Sequence, residues 1–320
     1  MAGLAAAGSA YSLAGIQRPE RREMSKGDGL RLALLAAIWG ASFLFMRIAV
    51  PAFGALNTAF LRVLLGALGL AVLSLLLTST WRFHGKFRQV ALLGIINSGL
   101  PFLLYCLAAR HLPAGYSALL NATTPLMGAL IGFACFGEAL SRRQWLGVIT
   151  GFLGVALILP RGDLDTSAAM LVGIGACLLA TTCYGTAGYL ARRWISERGS
   201  LDATLVALGS QVGATLFLLP FSLAVLVTNP LPAMPPVSAW FSVLAVGLLC
   251  TALAYILYFR LLADLGPLRT LSVTFLVPPF GVLWGYLVLG ETLAPNALLG
   301  AGVIGLAVWL VLRGEGKTRT

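Results

Sequence analysis

The sequence predicts an all-α polytopic membrane protein whose ten transmembrane helices form two inverted five-helix repeats. Of its 320 residues, 59% are hydrophobic and 10% are charged, whereas soluble domains average about 25% charged residues. Apolar windows of about 20 residues, the length at which a helix crosses a bilayer, recur along the whole chain. One motif-bearing segment of the first half also returns in the second half.

The loops between the apolar windows are too short to hold another domain. We therefore expect a mobile N-terminal tail at 1–29, a first repeat at 30–160, a second repeat at 161–313 and a cytoplasmic tail at 314–320. The ten predicted spans are Leu30–Val50, Leu56–Leu77, Val90–Ala109, Ala114–Phe136, Trp145–Leu159, Ala169–Leu190, Ala203–Val227, Val237–Tyr258, Leu268–Leu289 and Ala294–Leu312.

Most of the 22 Lys and Arg residues lie before the first span or after every second span. The opposite side carries only Arg110, Arg161 and the borderline Arg47. Because Lys and Arg concentrate in cytoplasmic loops, both termini are predicted to lie in the cytoplasm, with the chain in the plasma (bacterial inner) membrane. The net charge of +11 then reflects topology, and no nucleic-acid partner is expected.

The repeated segment reads FGEALSRRQWLG in the first half and LGETLAPNALLG in the second, with Glu138 and Glu291 separated by 153 residues. An internal repeat is a strong indication of architecture. Five spans per copy force the second copy to enter the membrane from the opposite side, and inverted repeats are typical of secondary transporters. The same offset relates Gly94 to Gly247, Tyr105 to Tyr258, Leu112 to Leu265, Pro125 to Pro278, Gly128 to Gly281, Gly132 to Gly285 and Gly147 to Gly300.

Two further segments, IWGASFLFMRIA (Ile38–Ala49) and AFLRVLLGALGL (Ala59–Leu70), together with the repeated segment, resemble the EamA-type permeases of the drug/metabolite transporter superfamily. The resemblance extends from Leu30 to Leu312. It implies two inverted halves around a cavity lined by the first, third, fourth, sixth, eighth and ninth helices. It also implies transport of small metabolites, often amino acids and commonly outward. The chain departs from many relatives at Cys183 and Tyr184, where they have a tryptophan.

Small and polar residues share one face of the fourth span, at spacings of three and four. The glycines among them are typical of close helix packing. For Asn121 and Thr274 we expect a position in the cavity, because Pro125 and Pro278 should interrupt their helices and release carbonyls. The face comprises Ser117, Asn121, Pro125, Gly128 and Gly132, and its counterparts are Thr270, Thr274, Pro278, Gly281 and Gly285.

Other candidates for substrate binding lie at similar depth. Trp39 is too deep for an interfacial tryptophan belt, so it either fills the core or lines the cavity, and the resemblance favours the cavity. The remaining candidates either bind substrate or are packing residues with satisfied hydrogen bonds. They are Asn97 and Ser98 in the third span, Thr181, Thr182 and Tyr184 in the sixth, and Thr251 and Tyr255 in the eighth.

Three charged residues sit at or inside span ends. An arginine within a span is a functional candidate, but Arg62 is near enough to a helix end to snorkel to the interface or serve a structural partner. The alternative is that it binds a substrate carboxylate. Glu138 and Glu291 are predicted at opposite membrane faces as gates or fulcrums, with Arg142 or Arg143 as the neighbours available to Glu138.

No Asp, Glu or His falls at mid-membrane depth in the predicted spans, which argues against a membrane-embedded enzyme. No metal site or cofactor is expected. The sequence has no G-x-x-x-x-G-K-[ST] segment for binding ATP. GAGVIG at residues 300–305 lies in an apolar span and is no dinucleotide fingerprint.

These features favour a secondary transporter of small, neutral or zwitterionic metabolites, in particular an amino-acid exporter that works by alternating access. Its expected partners are the small-molecule substrate and the lipid bilayer. The sequence leaves undecided whether the chain forms a homodimer. The alternative functions are a non-transporting membrane scaffold and a lipid scramblase. Saturable, selective flux separates the transporter from both.

Overall fold

The computed structural model describes residues 26–76, 82–158, 164–199, 201–228, 234–266, 270 and 273–313. All regular secondary structure in these stretches is helical, as the fold class predicts. The expected N-terminal tail lies outside the described residues as far as residue 25, and the tail at 314–320 lies wholly outside them. The first helix begins four residues before the first predicted span.

The helices are numbered in chain order, with the two π-helical segments named π1 and π2. Residues 26–158 form α1 (Lys26–Leu76), α2 (Phe87–Gly94), π1 (Ile95–Gly99), α3 (Leu100–Ala108), α4 (Ala114–Asn121), α5 (Thr124–Phe136) and α6 (Arg142–Ile158). Residues 164–313 form α7 (Leu164–Trp194), a 3-10 turn (Ser196–Arg198), α8 (Ala203–Thr228), α9 (Val237–Leu244), π2 (Ala245–Leu253), α10 (Ala254–Leu265), α11 (Val273–Leu289) and α12 (Pro295–Arg313).

Six helical stretches of the described chain are long and apolar enough to cross a membrane, and a seventh is counted if α4 and α5, which meet at a bend of 43°, act as one span. The α1 helix breaks at Gly54, whose φ of 75° and ψ of 163° are not helical. Glycine adopts this φ without a steric penalty. Because six or seven spans are counted directly, the predicted total of ten stays a prediction.

Apolar side chains cover the outward surface of these helices. On α1, Leu68 and Val72 are each more than half exposed, and on α12 the same holds for Leu299 and Leu306. Continuous apolar surface of this kind is a liability in water and marks contact with a membrane or a partner. The distribution fits helices that face lipid.

The two π-helical segments occupy matching places in the two halves. Adding 153 to residues 95–99 gives 248–252, which lie inside π2. A glycine at each site allows close helix contact: a Cβ on Gly94 would collide with the Ser210 backbone of α8, and one on Gly247 would collide with Leu65 of α1. π-helical turns are rare in proteins, and those that occur are often found at functional sites.

The helices α6 and α12 pack through glycines in a reciprocal contact. A Cβ on Gly147 would lie 2.8 Å from the carbonyl oxygen of Ala307, and one on Gly300 would lie 2.6 Å from that of Gly154. Adding 153 to Gly147 gives Gly300, and subtracting 153 from Ala307 gives Gly154. Contacts that exchange in this way are those that a two-fold axis produces.

The ends of α5 and α11 also match. Gly137 and Gly290 both have positive φ, 71° and 65°. In each case the N–H of the following glutamate donates to the carbonyl six residues earlier, at 3.0 Å for Glu138 and 3.1 Å for Glu291. Both helices thus end at a left-handed glycine, a conformation that glycine favours because it lacks a Cβ.

The predicted interruption at Pro125 is present, since α4 ends at Asn121 and α5 begins at Thr124. The interruption predicted at Pro278 is wrong, because α11 continues through that residue. Proline lacks an N–H, so the usual helical hydrogen bond between residue 278 and the carbonyl of Thr274 cannot form, and α11 continues without it.

Candidate functional site

A small cavity, with about 20 Å³ open to the centre of a water-sized sphere, lies where α1, α3, α4, α7 and α11 meet. This is room for little more than one water molecule. The helices therefore close tightly around the cavity. Its lining consists of Trp39, Ser42, Phe43, Met46, Arg62, Tyr105, Asn121, Tyr184, Thr274 and Val277.

Two aromatic pairs stand at the cavity. The rings of Trp39 and Tyr258 have centroids 5.5 Å apart, and those of Tyr105 and Tyr184 have centroids 6.2 Å apart. Tyr105 and Tyr258 are 153 residues apart, and Trp39 and Tyr184 lie at corresponding places on α1 and α7. Aromatic surfaces of this size dominate the energetics of binding sites.

The correspondence of Trp39 and Tyr184 is supported by the glycine that follows each. A Cβ on Gly40 would lie 2.8 Å from the backbone nitrogen of Gly281, and one on Gly185 would lie 2.9 Å from that of Gly128. The close approach of α1 to α11 is thus matched by that of α7 to α5. Trp39 and Tyr184 therefore occupy corresponding positions next to these two contacts.

Trp39 is 1% exposed, and its Nε1–H is buried without a hydrogen-bond partner among the described residues. A buried indole N–H usually has an acceptor. One turn further along α1, the Ser42 hydroxyl donates to the Trp39 carbonyl oxygen at 2.6 Å. The cavity thus contains a donor that its own lining leaves unused.

The bend between α4 and α5 positions Asn121. The Tyr105 hydroxyl donates to Asn121 Oδ1 at 2.9 Å, which fixes the amide between α3 and α4. The Asn121 carbonyl, which loses its helical donor because Pro125 has no N–H, accepts a hydrogen bond from the Thr124 hydroxyl at 2.7 Å. The Asn121 carbonyl therefore has a hydrogen-bond donor within the bend, and the Asn121 side chain lies at the cavity.

Arg62, on the second arm of α1 beyond Gly54, is 1% exposed and lines the cavity. Its guanidinium carbon lies 3.6 Å from the ring centroid of Phe102. It donates to Met46 Sδ at 3.2 Å and to the Thr251 hydroxyl oxygen at 3.4 Å. The side chain therefore does not snorkel to an interface, as one of the two sequence-based alternatives supposed.

Among the predicted substrate-binding residues, Trp39, Asn121, Tyr184 and Thr274 line the cavity. The others are buried elsewhere. Thr181 donates to the Leu178 carbonyl, Thr251 donates to the Val246 carbonyl and lies behind Arg62, and Asn97 lies in π1. Tyr255 stacks on Phe259 with centroids 6.1 Å apart.

Sequence reasoning missed five lining residues: Ser42, Phe43, Met46, Tyr105 and Val277. A signal was available for Tyr105, which has a repeat partner in Tyr258 and carries a hydroxyl deep in a span. For Ser42, Phe43 and Met46 the signal is their helical spacing of three, four and seven from Trp39, which places them on its face. Val277 lies three residues after Thr274 and shares its face in the same way.

The two glutamates have different partners. Glu291 pairs with Arg47 at 3.2 Å and accepts the backbone N–H of Ala114 at 2.7 Å. Glu138 accepts the Tyr189 hydroxyl at 2.6 Å. The expected pairing of Glu138 with Arg142 or Arg143 is absent from the ion pairs of the described residues, and Arg143 lies over the Trp309 ring.

Comparisons with known proteins support this architecture. The model of the EamA-like transporter family matches residues 28–159 and 171–313. The threonine/homoserine exporter RhtA of Escherichia coli is 31% identical over 90% of this chain and 92% of its own length. A probable terminal-alkyne amino-acid exporter of Streptantibioticus cattleyicolor is 26% identical over 86% and 90%.

Protein PecM of Dickeya dadantii is also 26% identical, over 86% of this chain and 88% of its own length. A solved crystal structure superimposes with a TM-score of 0.58 over 91% of this chain and 99% of its own, at 17% identity, which supports the fold alone. The chain belongs to the EamA-like transporter family and is an integral membrane transporter of small molecules, not an enzyme.

Proposed function

We propose that the chain is a secondary transporter that exports amino acids or related small zwitterions across the inner membrane by alternating access. The observation that carries the proposal is the closed cavity where α1, α3, α4, α7 and α11 meet, lined by aromatic rings and a few polar groups. Sites for small molecules commonly have this composition. The exporters among the relatives support the direction and the substrate class.

Ten spans in two inverted repeats account for the recurring contacts. If α1 counts as two spans around Gly54, α4 and α5 count as one, and the 17-residue helices α6 and α11 each cross, the number is ten. The reciprocal glycine contact of α6 with α12 and the matching π segments support an axis in the membrane plane. The two stretches that match the family model support repeats at 30–160 and 161–313.

Cytoplasmic termini, which the distribution of Lys and Arg supports, would put Glu291 at the outer face and Glu138 at the inner face. By the correspondence of α1 with α7, the counterpart of Arg47 is Arg192. Arg192 pairs with Glu197 at 3.2 Å rather than with Glu138. The two faces thus have related sequences but make different contacts. In alternating access the two faces differ in any one conformational state.

In this mechanism the ion pair of Glu291 with Arg47 closes the outer face, and the hydrogen bond of Tyr189 to Glu138 contributes to closing the inner face. Pro125 and Pro278 soften α4–α5 and α11, the helices that lead from the cavity to the two glutamates. Opening either face replaces one set of contacts while the other set persists. Small differences between two such sets suffice to favour one state.

Within the site, Trp39 and Tyr184 would form the aromatic surfaces against the substrate, and Asn121 and Thr274 would bind its polar groups. Thr251, which lies behind Arg62, would support the lining, and Thr181, Tyr255 and Asn97 are buried outside it. The sequence lacks an ATP-binding P-loop, so the energy is expected to come from a solute gradient.

The test is flux into proteoliposomes that contain the purified full-length protein, measured for the twenty amino acids and homoserine with and without a pH gradient. The proposal predicts saturable flux for a subset of them and competition within that subset. The contrary result is flux no greater than in protein-free liposomes for every amino acid. Lipid flip-flop, measured in the same vesicles, would then identify a scramblase.

A further inference from the structure

This inference rests on the proposed function. We propose that Arg62 is the carboxylate receptor of the cavity, with the indole N–H of Trp39 as a second donor, so that the transported solutes carry a carboxylate group. Arg62 would thereby determine specificity within the site. The alternative is a guanidinium that only ties α1 to its neighbours.

The charge of the lining supports this assignment. Among the ten described residues that line the cavity, Arg62 alone is charged, and the others are aromatic, aliphatic or neutral polar groups. A guanidinium stays protonated in proteins, and its field is strong where water is scarce. Such a cavity favours an anionic group at the Arg62 end and repels an amine that has no carboxylate.

Three contacts that position the guanidinium of Arg62 are with neutral groups, Phe102, Met46 and Thr251. Phe102 covers one face of it, which leaves the N–H groups at the edge of the plane. The Thr251 hydroxyl donates to the Val246 carbonyl five residues earlier, at 2.9 Å, so its oxygen accepts from Arg62 Nε. The π-helical turn of π2 thus presents an acceptor to Arg62.

Glycine packing places Thr251 against α1. A Cβ on Gly66, one turn after Arg62, would lie 2.7 Å from Thr251 Cγ2. A larger residue there would displace the Thr251 side chain and disturb the acceptor of Arg62. The second arm of α1 and π2 therefore position the guanidinium together, as a binding group that must keep a fixed geometry requires.

Trp39 supplies the independent observation. Its Nε1–H is buried, belongs to a residue that lines the cavity, and has no partner among the described residues. A carboxylate offers two oxygens with several acceptor positions, so it can accept from Arg62 and from this indole together. The ammonium group of an amino acid would meet the aromatic rings and Asn121 Oδ1, which has a second lone pair.

The first experiment uses the wild-type protein, so that it does not depend on a variant that folds. In proteoliposomes, each amino acid that gives saturable flux is competed with its amino alcohol, which lacks the carboxylate: L-threonine with L-threoninol, L-leucine with L-leucinol. Hydrogen bonds to a charged group are among the stronger ones in proteins, so we expect the alcohols to compete at least about tenfold more weakly.

The second experiment compares Arg62→Gln, Arg62→Lys and the control Arg143→Gln, whose arginine lies over Trp309 outside the cavity. We expect KM for the amino acid to rise at least about tenfold in Arg62→Gln and less in Arg62→Lys. The preference over the amino alcohol should disappear in Arg62→Gln only. A merely structural arginine would lower the yield of folded protein without removing this preference.

The outcomes separate the two proposals. Saturable amino-acid flux with equal competition by the amino alcohols overturns the role of Arg62 and leaves the transporter standing. The same holds if folded Arg62→Gln keeps the wild-type preference. Absence of saturable flux for every amino acid overturns the proposed function itself.

Discussion

Trp39→Ala is expected to reduce amino-acid flux at least tenfold, to the level of protein-free liposomes. The indole is 1% exposed, packs on Tyr258 with centroids 5.5 Å apart and lines the cavity. Its removal takes away an aromatic surface and the unused N–H donor. The loss of about 1.4 kcal/mol of substrate interaction is enough for a tenfold effect, and a buried aromatic ring commonly contributes more. Flux in proteoliposomes measures it.

Trp309→Ala is the matched control, because Trp309 lies on α12 and is 44% exposed. Both variants have to elute as the wild type does in size-exclusion chromatography before they are compared. We expect Trp309→Ala to transport normally. Wild-type flux in folded Trp39→Ala would remove Trp39 from the binding site.

Gly94→Ala is expected to lower the stability of the folded protein by more than about 2 kcal/mol, a size of effect associated with overpacking against fixed groups. The new Cβ would collide with the Ser210 carbonyl oxygen, carbon and Cα. These are backbone atoms of α8, which cannot rotate aside as a side chain can. The measurement is the thermal unfolding midpoint in detergent, followed by size-exclusion chromatography.

Gly302→Ala serves as the control, since a Cβ at that position of α12 meets nothing within 4 Å. Alanine is also favoured over glycine within a helix, by roughly 1 kcal/mol. We expect the midpoint of Gly302→Ala to equal or exceed that of the wild type. An unchanged midpoint in Gly94→Ala would mean that α2 and α8 are packed less closely than the structure has them.

The helical class could be predicted from sequence because a bilayer admits only helices or closed barrels. The register of the repeat was equally readable, since Glu138 and Glu291 share a motif. Pro278 was misjudged for a physical reason: proline removes one hydrogen bond, and neighbouring helices can keep the axis continuous in spite of it. Sequence shows the missing donor but not the packing that compensates for it.

The binding residues were harder to predict than the spans. Asn97 and Thr251 lie in π1 and π2, where a helical periodicity of 3.6 residues does not give the direction of a side chain. Their depth in a span could therefore be predicted, but not whether they reach the cavity. Arg62 was ambiguous because its distance from a helix end is the same whether it points to lipid headgroups or to Phe102.

The partners of the glutamates were beyond local sequence reasoning. Glu138 has Arg142 and Arg143 nearby in the chain, but the turn at Gly137 directs its carboxylate to Tyr189 of α7. Gly132 leaves room for this contact, because a Cβ there would lie 2.8 Å from Glu138 Oε2. Arg47 is 244 residues away from Glu291 in sequence, and only the fold brings them together.

The most direct test of alternating access uses Ser42→Cys as a reporter in the cavity, with the five native cysteines replaced. A membrane-impermeant maleimide is applied from the outer or the inner side of the membrane. Glu291→Gln should raise labelling from the outside and lower it from the inside, and Glu138→Gln should do the reverse. A closing contact of about 1 kcal/mol predicts changes of about fivefold. Labelling that rises from both sides together, or stays unchanged in both variants, would contradict the account.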